Sequence, residues 1–243
     1  VNYDAVMQRI LAASEGKSLL LHACCAPCAS YCLTETAPRV RVTAFFYNPN
    51  LDSAEEYEKR LEELRRLTAQ TGWAQVMECG YRSGDFAAVS AGFEAEKEGG
   101  ARCEQCFRLR LFETAKQAKA GGFDLFATTL TVSPMKNAAL INRIGQEAAE
   151  AYGVEYLPTD FKKRGGFLRS VQLSGQNGRN RMNYCGGLFS RRREQALSPN
   201  APRRPPRRLF TSSDVFPSEG GGQIVRGGAW RRSAHRKRAA SCM

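Results

Sequence analysis

Apolar and polar positions along the 243-residue chain alternate between two periods. Ser18-Leu-Leu-Leu-His-Ala23 is a compact apolar run bounded by Gly16 and Pro27, which predicts a buried strand. Val40–Phe46, rich in β-branched and aromatic residues, predicts a second strand stopped by Asn48-Pro49-Asn50. From Ser53 to Gln70 the period becomes helical. Tyr57, Leu61, Leu64 and Leu67 share a face, and Ser53 with Glu56 predicts a capping box. Ala74–Cys79 and Asp124–Thr128 read as strands, and Val154–Leu157 as a short one. Helices are predicted over 2–14, 83–96, 106–119 and 138–152, with Gly121-Gly122 and Gly153 as stop signals. Strand and helix thus alternate from residue 18 to about 157. That order predicts an α/β fold, a parallel sheet flanked by helices, with its sites at the carboxyl ends of the strands.

The pattern stops near residue 197. Residues 198–243 hold five Pro, five Gly and no sustained apolar periodicity, which predicts a disordered tail beside a 1–197 α/β domain. Nine arginines and one lysine against Asp214 and Glu219 give this tail most of the net charge of +12. The mildly basic remainder is compatible with a polyanionic partner such as nucleic acid, though many small enzymes are equally basic. No stretch approaches the ~18 uncharged apolar residues of a membrane span. The run Leu19–Ala26 is too short and too cysteine-rich for a signal segment. A cytoplasmic protein with no membrane partner is the expectation.

Nine cysteines change the picture, at 24, 25, 28, 32, 79, 103, 106, 185 and 242. An odd count without a secretory signal argues for metal or redox chemistry over a disulfide scaffold. His22-Ala-Cys-Cys-Ala-Pro-Cys28 sits where the first strand should end, and Ala26-Pro27 supplies the turn that lets Cys24 and Cys25 face one centre. Cys103-Glu-Gln-Cys106 follows a Gly-Gly break and opens a helix, whose N-terminus stabilises thiolate charge. Either motif alone reads as a redox pair or half a zinc site. Together they offer five thiols, Cys24, Cys25, Cys28, Cys103 and Cys106, enough for a closed zinc site or an iron–sulfur cluster, and the spacing does not decide between them. Cys32 and Cys79 read as small buried hydrophobes.

Six segments in order carry a resemblance: Leu20-Leu-His-Ala-Cys-Cys-Ala-Pro-Cys28, Phe45-Phe-Tyr-Asn-Pro-Asn50, Glu56-Tyr-Glu-Lys-Arg60, Arg102-Cys-x-x-Cys-Phe-x-x-Arg-Leu111, Thr128-Thr-Leu-x-x-Ser-Pro-x-Lys-Asn137 and Asn183-Tyr-Cys-Gly186. Over roughly residues 1–195 the chain resembles the epoxyqueuosine reductases of the QueH type. The resemblance implies a Rossmann-like, adenine-nucleotide-hydrolase-like fold. It also implies reduction of epoxyqueuosine to queuosine at the wobble position of tRNA, with electrons from an unidentified donor. It implies a [4Fe–4S] cluster on Cys24, Cys25, Cys103 and Cys106, with one additional iron for which Cys28 is a candidate. That family usually ends its last motif Tyr-Cys-Gly-Cys, whose cysteines form a redox-active disulfide. Here the second cysteine is Gly187, which leaves Cys185 without its local partner.

Removing an epoxide oxygen takes two electrons and two protons. Cys185 is the candidate redox thiol and His22 the candidate proton donor, against a purely structural strand-end role for the histidine. Lys136 and Asn137 are candidates for a tRNA phosphate or the substrate ring, against helix capping and solvation. Tyr47, Asn48 and Asn50 are candidates for the pocket wall. Two competing classes stand beside this reading. An ATP-dependent sulfurtransferase of the same fold class would carry a Ser-Gly-Gly-x-Asp-Ser phosphate loop after strand one, where this chain has Cys-Cys-Ala-Pro-Cys. A zinc-binding nucleic-acid module would need only the thiols.

Overall fold

A computed structural model describes residues 1–176 and Gly187. Five parallel strands form one sheet: β1 (Ser18–His22), β2 (Arg41–Phe46), β3 (Ala74–Glu78), β4 (Leu125–Thr128) and β5 (Glu155–Tyr156). Their spatial order is β3-β2-β1-β4-β5, so the order reverses between β1 and β4. This is the Rossmann-like arrangement, whose ligand crevice lies at that reversal, outside the carboxyl ends of the strands.

The helices are α1 (Tyr3–Ala12), α2 (Ala26–Thr36), α3 (Ala54–Thr71), α4 (Ser83–Ser90), α5 (Ala101–Gly121), α6 (Ala138–Tyr152) and α7 (Gly166–Gln176). Both faces of the sheet are covered, so the central strands β1 and β4 are buried almost throughout, and alternate side chains enter alternate layers. Leu19, Leu21 and Phe46 pack with α1, α2, α3 and α7. Leu20, Phe45 and Phe126 pack with α5 and α6. Gly145 of α6 lies against the ring of Tyr156, where any side chain would overlap it.

Several boundaries depart from the sequence pattern. Ser53 caps α3 through a bond from the Glu56 N–H at 3.2 Å, but the Glu56 carboxylate pairs with Arg60. The helix expected over 83–96 ends at Ser90, ahead of Gly92, whose φ is +84°. The helix expected from 106 already begins at Ala101, which places both Cys103 and Cys106 on it. The loop expected over 129–137 opens with a 3₁₀ turn, Thr129–Val132. Helix α7 has no counterpart in the sequence pattern; its Leu173 is buried while Leu168 and Val171 face solvent. The basic tail lies outside the described residues. Among the described residues, no helix is long and apolar enough to cross a membrane.

Candidate metal centre

The two cysteine motifs sit at the starts of α2 and α5. Cys25 is the extended N-cap residue of α2, with Pro27 in the first turn. Pro fits there because the first helical N–H groups have no partner inside the helix. This turn carries the chain from β1 into α2 and brings Cys24, Cys25 and Cys28 together: their sulfurs all lie within 4.8 Å of one another. The Cys24 and Cys25 sulfurs are 3.9 Å apart. Two thiolates on one tetrahedral ion with bonds of ~2.3 Å stand about 3.8 Å apart, so this triad fits a single thiophilic cation. Cys103 and Cys106, one turn apart on α5, are not members of that 4.8 Å group. Cys103 nevertheless packs against the same core layer as Cys24, and its sulfur accepts the Gly99 N–H at 3.2 Å.

The triad is arranged to hold one negative charge before any metal arrives. Hydrogen bonds from the Cys25 and Cys28 thiols pull the Cys24 thiol well below its ordinary range, with help from the Lys136 charge and the Thr129 hydroxyl, against desolvation. Thr129 accepts the Cys24 N–H at 3.2 Å and donates to the Cys24 sulfur at 3.5 Å. The bonds to Cys24 raise Cys25 and Cys28 correspondingly. Metal binding at this triad therefore displaces protons from the latter two thiols. Burial raises the Cys32 thiol, and Cys32 packs wholly inside the core.

Arg60 of α3, buried and paired with Glu56 at 2.6 Å, lies within electrostatic reach of Cys24 and Cys25. Arg110 of α5 is also buried. Its Nε donates to the Cys106 carbonyl at 3.3 Å and its Nη1 to Asn48 Oδ1 at 3.3 Å, while Asn48 Nδ2 donates to the Ala23 carbonyl at 2.9 Å. Thr129, Arg60 and Arg110 all lie in segments the sequence singled out, but nothing local marks them: each meets its thiol motif only through the fold.

The remaining candidates fall on both sides of their alternatives. His22 is fully buried. Its ring nitrogens lie 3.0 Å from Thr128 Oγ1 and 3.1 Å from the Tyr47 carbonyl. The carbonyl can only accept, so Nε2 carries the proton and donates. The Thr128 hydroxyl, which accepts the Leu130 N–H, donates to Nδ1. Asn137 caps α6 by accepting the Leu140 N–H at 3.1 Å. Tyr47 is buried and donates its hydroxyl to Asp85 at 2.7 Å. Asn48 spends its side chain between Arg110 and Ala23, and Asn50 is buried as well. Lys136 is half-buried and its charge reaches Cys24 and Cys28. Cys185 lies outside the described residues. Cys79 is not a simple packed thiol: it is disulfide-bonded.

The His22 environment has a measurable consequence. Burial first, then the positive charge of Arg110, lowers its pKa to about 3 from 6.5. The folded state therefore takes up this proton only near pH 3, while the unfolded chain takes it up near 6.5. The histidine's contribution to stability is complete above pH 6.5 and is lost progressively as pH falls toward 3. Between pH 7 and pH 5 the loss is ~2 kcal/mol. Urea unfolding at the two pH values should show this difference in the wild type and a smaller one in His22→Gln. Equal pH dependence in both proteins would remove His22 as the source.

A family model described as "Epoxyqueuosine reductase QueH" matches residues 19–193. The chain is 38% identical over 199 residues to the epoxyqueuosine reductase QueH of Streptococcus pyogenes serotype M1, covering 78% of each chain. It is 36% identical over 201 residues to that of Staphylococcus epidermidis, covering 78% of this chain and 84% of the relative. It is 37% identical over 182 residues to that of Thermotoga maritima, covering 71% and 90%. The matched span holds both cysteine motifs, the strand reversal they flank and the buried Arg60 and Arg110, and the chain belongs to the epoxyqueuosine reductase QueH family.

Proposed function

We propose that this protein is a cytoplasmic oxidoreductase that reduces epoxyqueuosine to queuosine in tRNA. The observation that carries the reading is the convergence of Cys24, Cys25 and Cys28 at the strand reversal of a chain in this family. The place where a phosphate loop would follow β1 is filled by these thiols, which disfavours an ATP-dependent sulfurtransferase. Cys24, Cys25, Cys103 and Cys106 would hold a [4Fe–4S] cluster, and Cys28 the additional iron. Once bound, these groups would supply electrons and a Lewis acid for the epoxide oxygen.

The protein's own residues do the rest. Thr129 fixes the Cys24 backbone and sulfur. Burial and two hydrogen bonds hold His22 neutral, so it aligns the ends of β1 and β4 and is displaced as the proton donor. Tyr47, Asn48 and Asn50 shape the site from beneath. Lys136 is the cation near the thiols that meets the substrate or its phosphate, with Asn137 at the same helix start. Cys185 would contribute the further thiol. The test is anaerobic reconstitution with iron and sulfide, then incubation with epoxyqueuosine-containing tRNA and a chemical reductant. Nucleoside mass spectrometry should show queuosine forming and the epoxide disappearing. A protein that holds zinc alone and leaves the tRNA unchanged would instead be the zinc-binding nucleic-acid module.

A further inference from the structure

Arg110 is a buried cation linked by hydrogen bonds to both cysteine motifs. It is 3% exposed, yet among the described residues no carboxylate pairs with it. The other buried arginine at the thiols, Arg60, has Glu56. Of its five N–H donors, Arg110 gives one to the Cys106 carbonyl and one to Asn48, and its guanidinium stands 6.0 Å from the Phe107 ring centroid. These are neutral partners. A buried charge is tolerated when an opposite charge lies close by.

Arg110 reaches both cysteine motifs through these bonds. One bond ends on the backbone of Cys106. The other runs through Asn48 to the carbonyl of Ala23, the residue before Cys24. A single guanidinium thus joins the backbones of both cysteine motifs.

We propose that Arg110 is the counter-cation of the thiolate-held centre, a positioning residue that locks the two cysteine motifs in register and holds the centre's reduction potential up. This rests on the reading of the centre as redox-active iron–sulfur. A fixed positive charge in a water-poor site favours the added electron, because the reduced centre carries one more negative charge.

The experiment is a redox titration of reconstituted wild type, Arg110→Gln and Arg110→Lys. Gln removes the charge and keeps a donor, whereas Lys keeps the charge and loses the fork. Arg110→Gln is expected to lower the equilibrium constant for one-electron reduction at least tenfold, a shift of about 59 mV to more negative potential. Arg110→Lys should stay close to wild type. Should Arg110→Gln load too little iron to titrate, Asn48→Asp gives the second reading. Its carboxylate would neutralise the guanidinium and should shift the potential in the same direction. A loaded charge-removing variant with the wild-type potential overturns the counter-cation role. A wild-type protein that assembles no redox-active centre overturns the iron–sulfur reading instead.

Discussion

Replacing Cys24 with alanine is expected to leave the protein unable to retain its metal, while Cys32→Ala retains it in full. Cys24 lies just before α2 and Cys32 within it, so the contrast tests the geometry and not the neighbourhood. Cys24 lies within 4.8 Å of two other thiols, is the thiol most easily ionised, and receives the Thr129 hydroxyl. Cys32 is fully buried among apolar side chains and its thiol is pushed up by that burial. Losing an outer-shell partner costs metal sites roughly 10–100-fold in affinity, and losing a ligand of the triad should exceed that. Thr129→Val, which removes only the hydroxyl, should fall within the smaller range. Cys32→Ala should cost ~1 kcal/mol of stability through the small cavity it leaves, with no change in metal content. Elemental analysis after anaerobic reconstitution, read beside the melting temperature, separates the three variants. Full metal content in Cys24→Ala would place the centre elsewhere.

The thiols were legible because cysteine is rare and its spacing is local. Two residues between Cys103 and Cys106, or between Cys25 and Cys28, can be read without a fold. The strands were legible for a related reason: a doubly covered sheet makes its central strands apolar, as in Leu19-Leu-Leu21. Strand order was not, because it depends on which β edge each crossover chooses. That order places Thr129 beside Cys24, 105 residues away in sequence, and Arg110 beside Asn48, 62 residues away. Threonine and arginine are common, and neither carries a local mark of such a role. The same holds for His22. Its sequence allowed a proton donor, and only the register that sets it opposite Thr128 and Phe45 shows both ring nitrogens occupied. Cys79 escaped because a lone strand-end cysteine reads as packing.

Asn142→Leu is expected to give the largest loss of stability among substitutions away from the thiols. Asn142, 4% exposed on α6, works as a clip. Its Oδ1 accepts the Tyr156 hydroxyl and the Thr159 N–H, both at 3.0 Å, and its Nδ2 donates to the Thr159 carbonyl at 2.9 Å. Leucine fills a similar volume but leaves three buried polar groups without this partner. Each such orphan costs ~1–3 kcal/mol, so the loss is on the order of 3–9 kcal/mol. For a domain of this size that corresponds to a fall in melting temperature of roughly 10 °C or more. The effect should reach the centre. Thr159 meets Thr131 hydroxyl to hydroxyl at 2.7 Å, and Thr131 also accepts the Phe161 N–H at 3.4 Å. Thr131 shares its 3₁₀ turn with Thr129, which holds Cys24. Loosening the 159–161 segment therefore loosens the turn, and metal should be lost faster to a chelator while the thiols themselves are intact. Asn142→Asp keeps both acceptor bonds and loses only the donor to Thr159, so it should fall between wild type and leucine. A leucine variant that melts within about 2 °C of wild type, less than 1 kcal/mol would produce, would show that the clip carries little of the fold's stability.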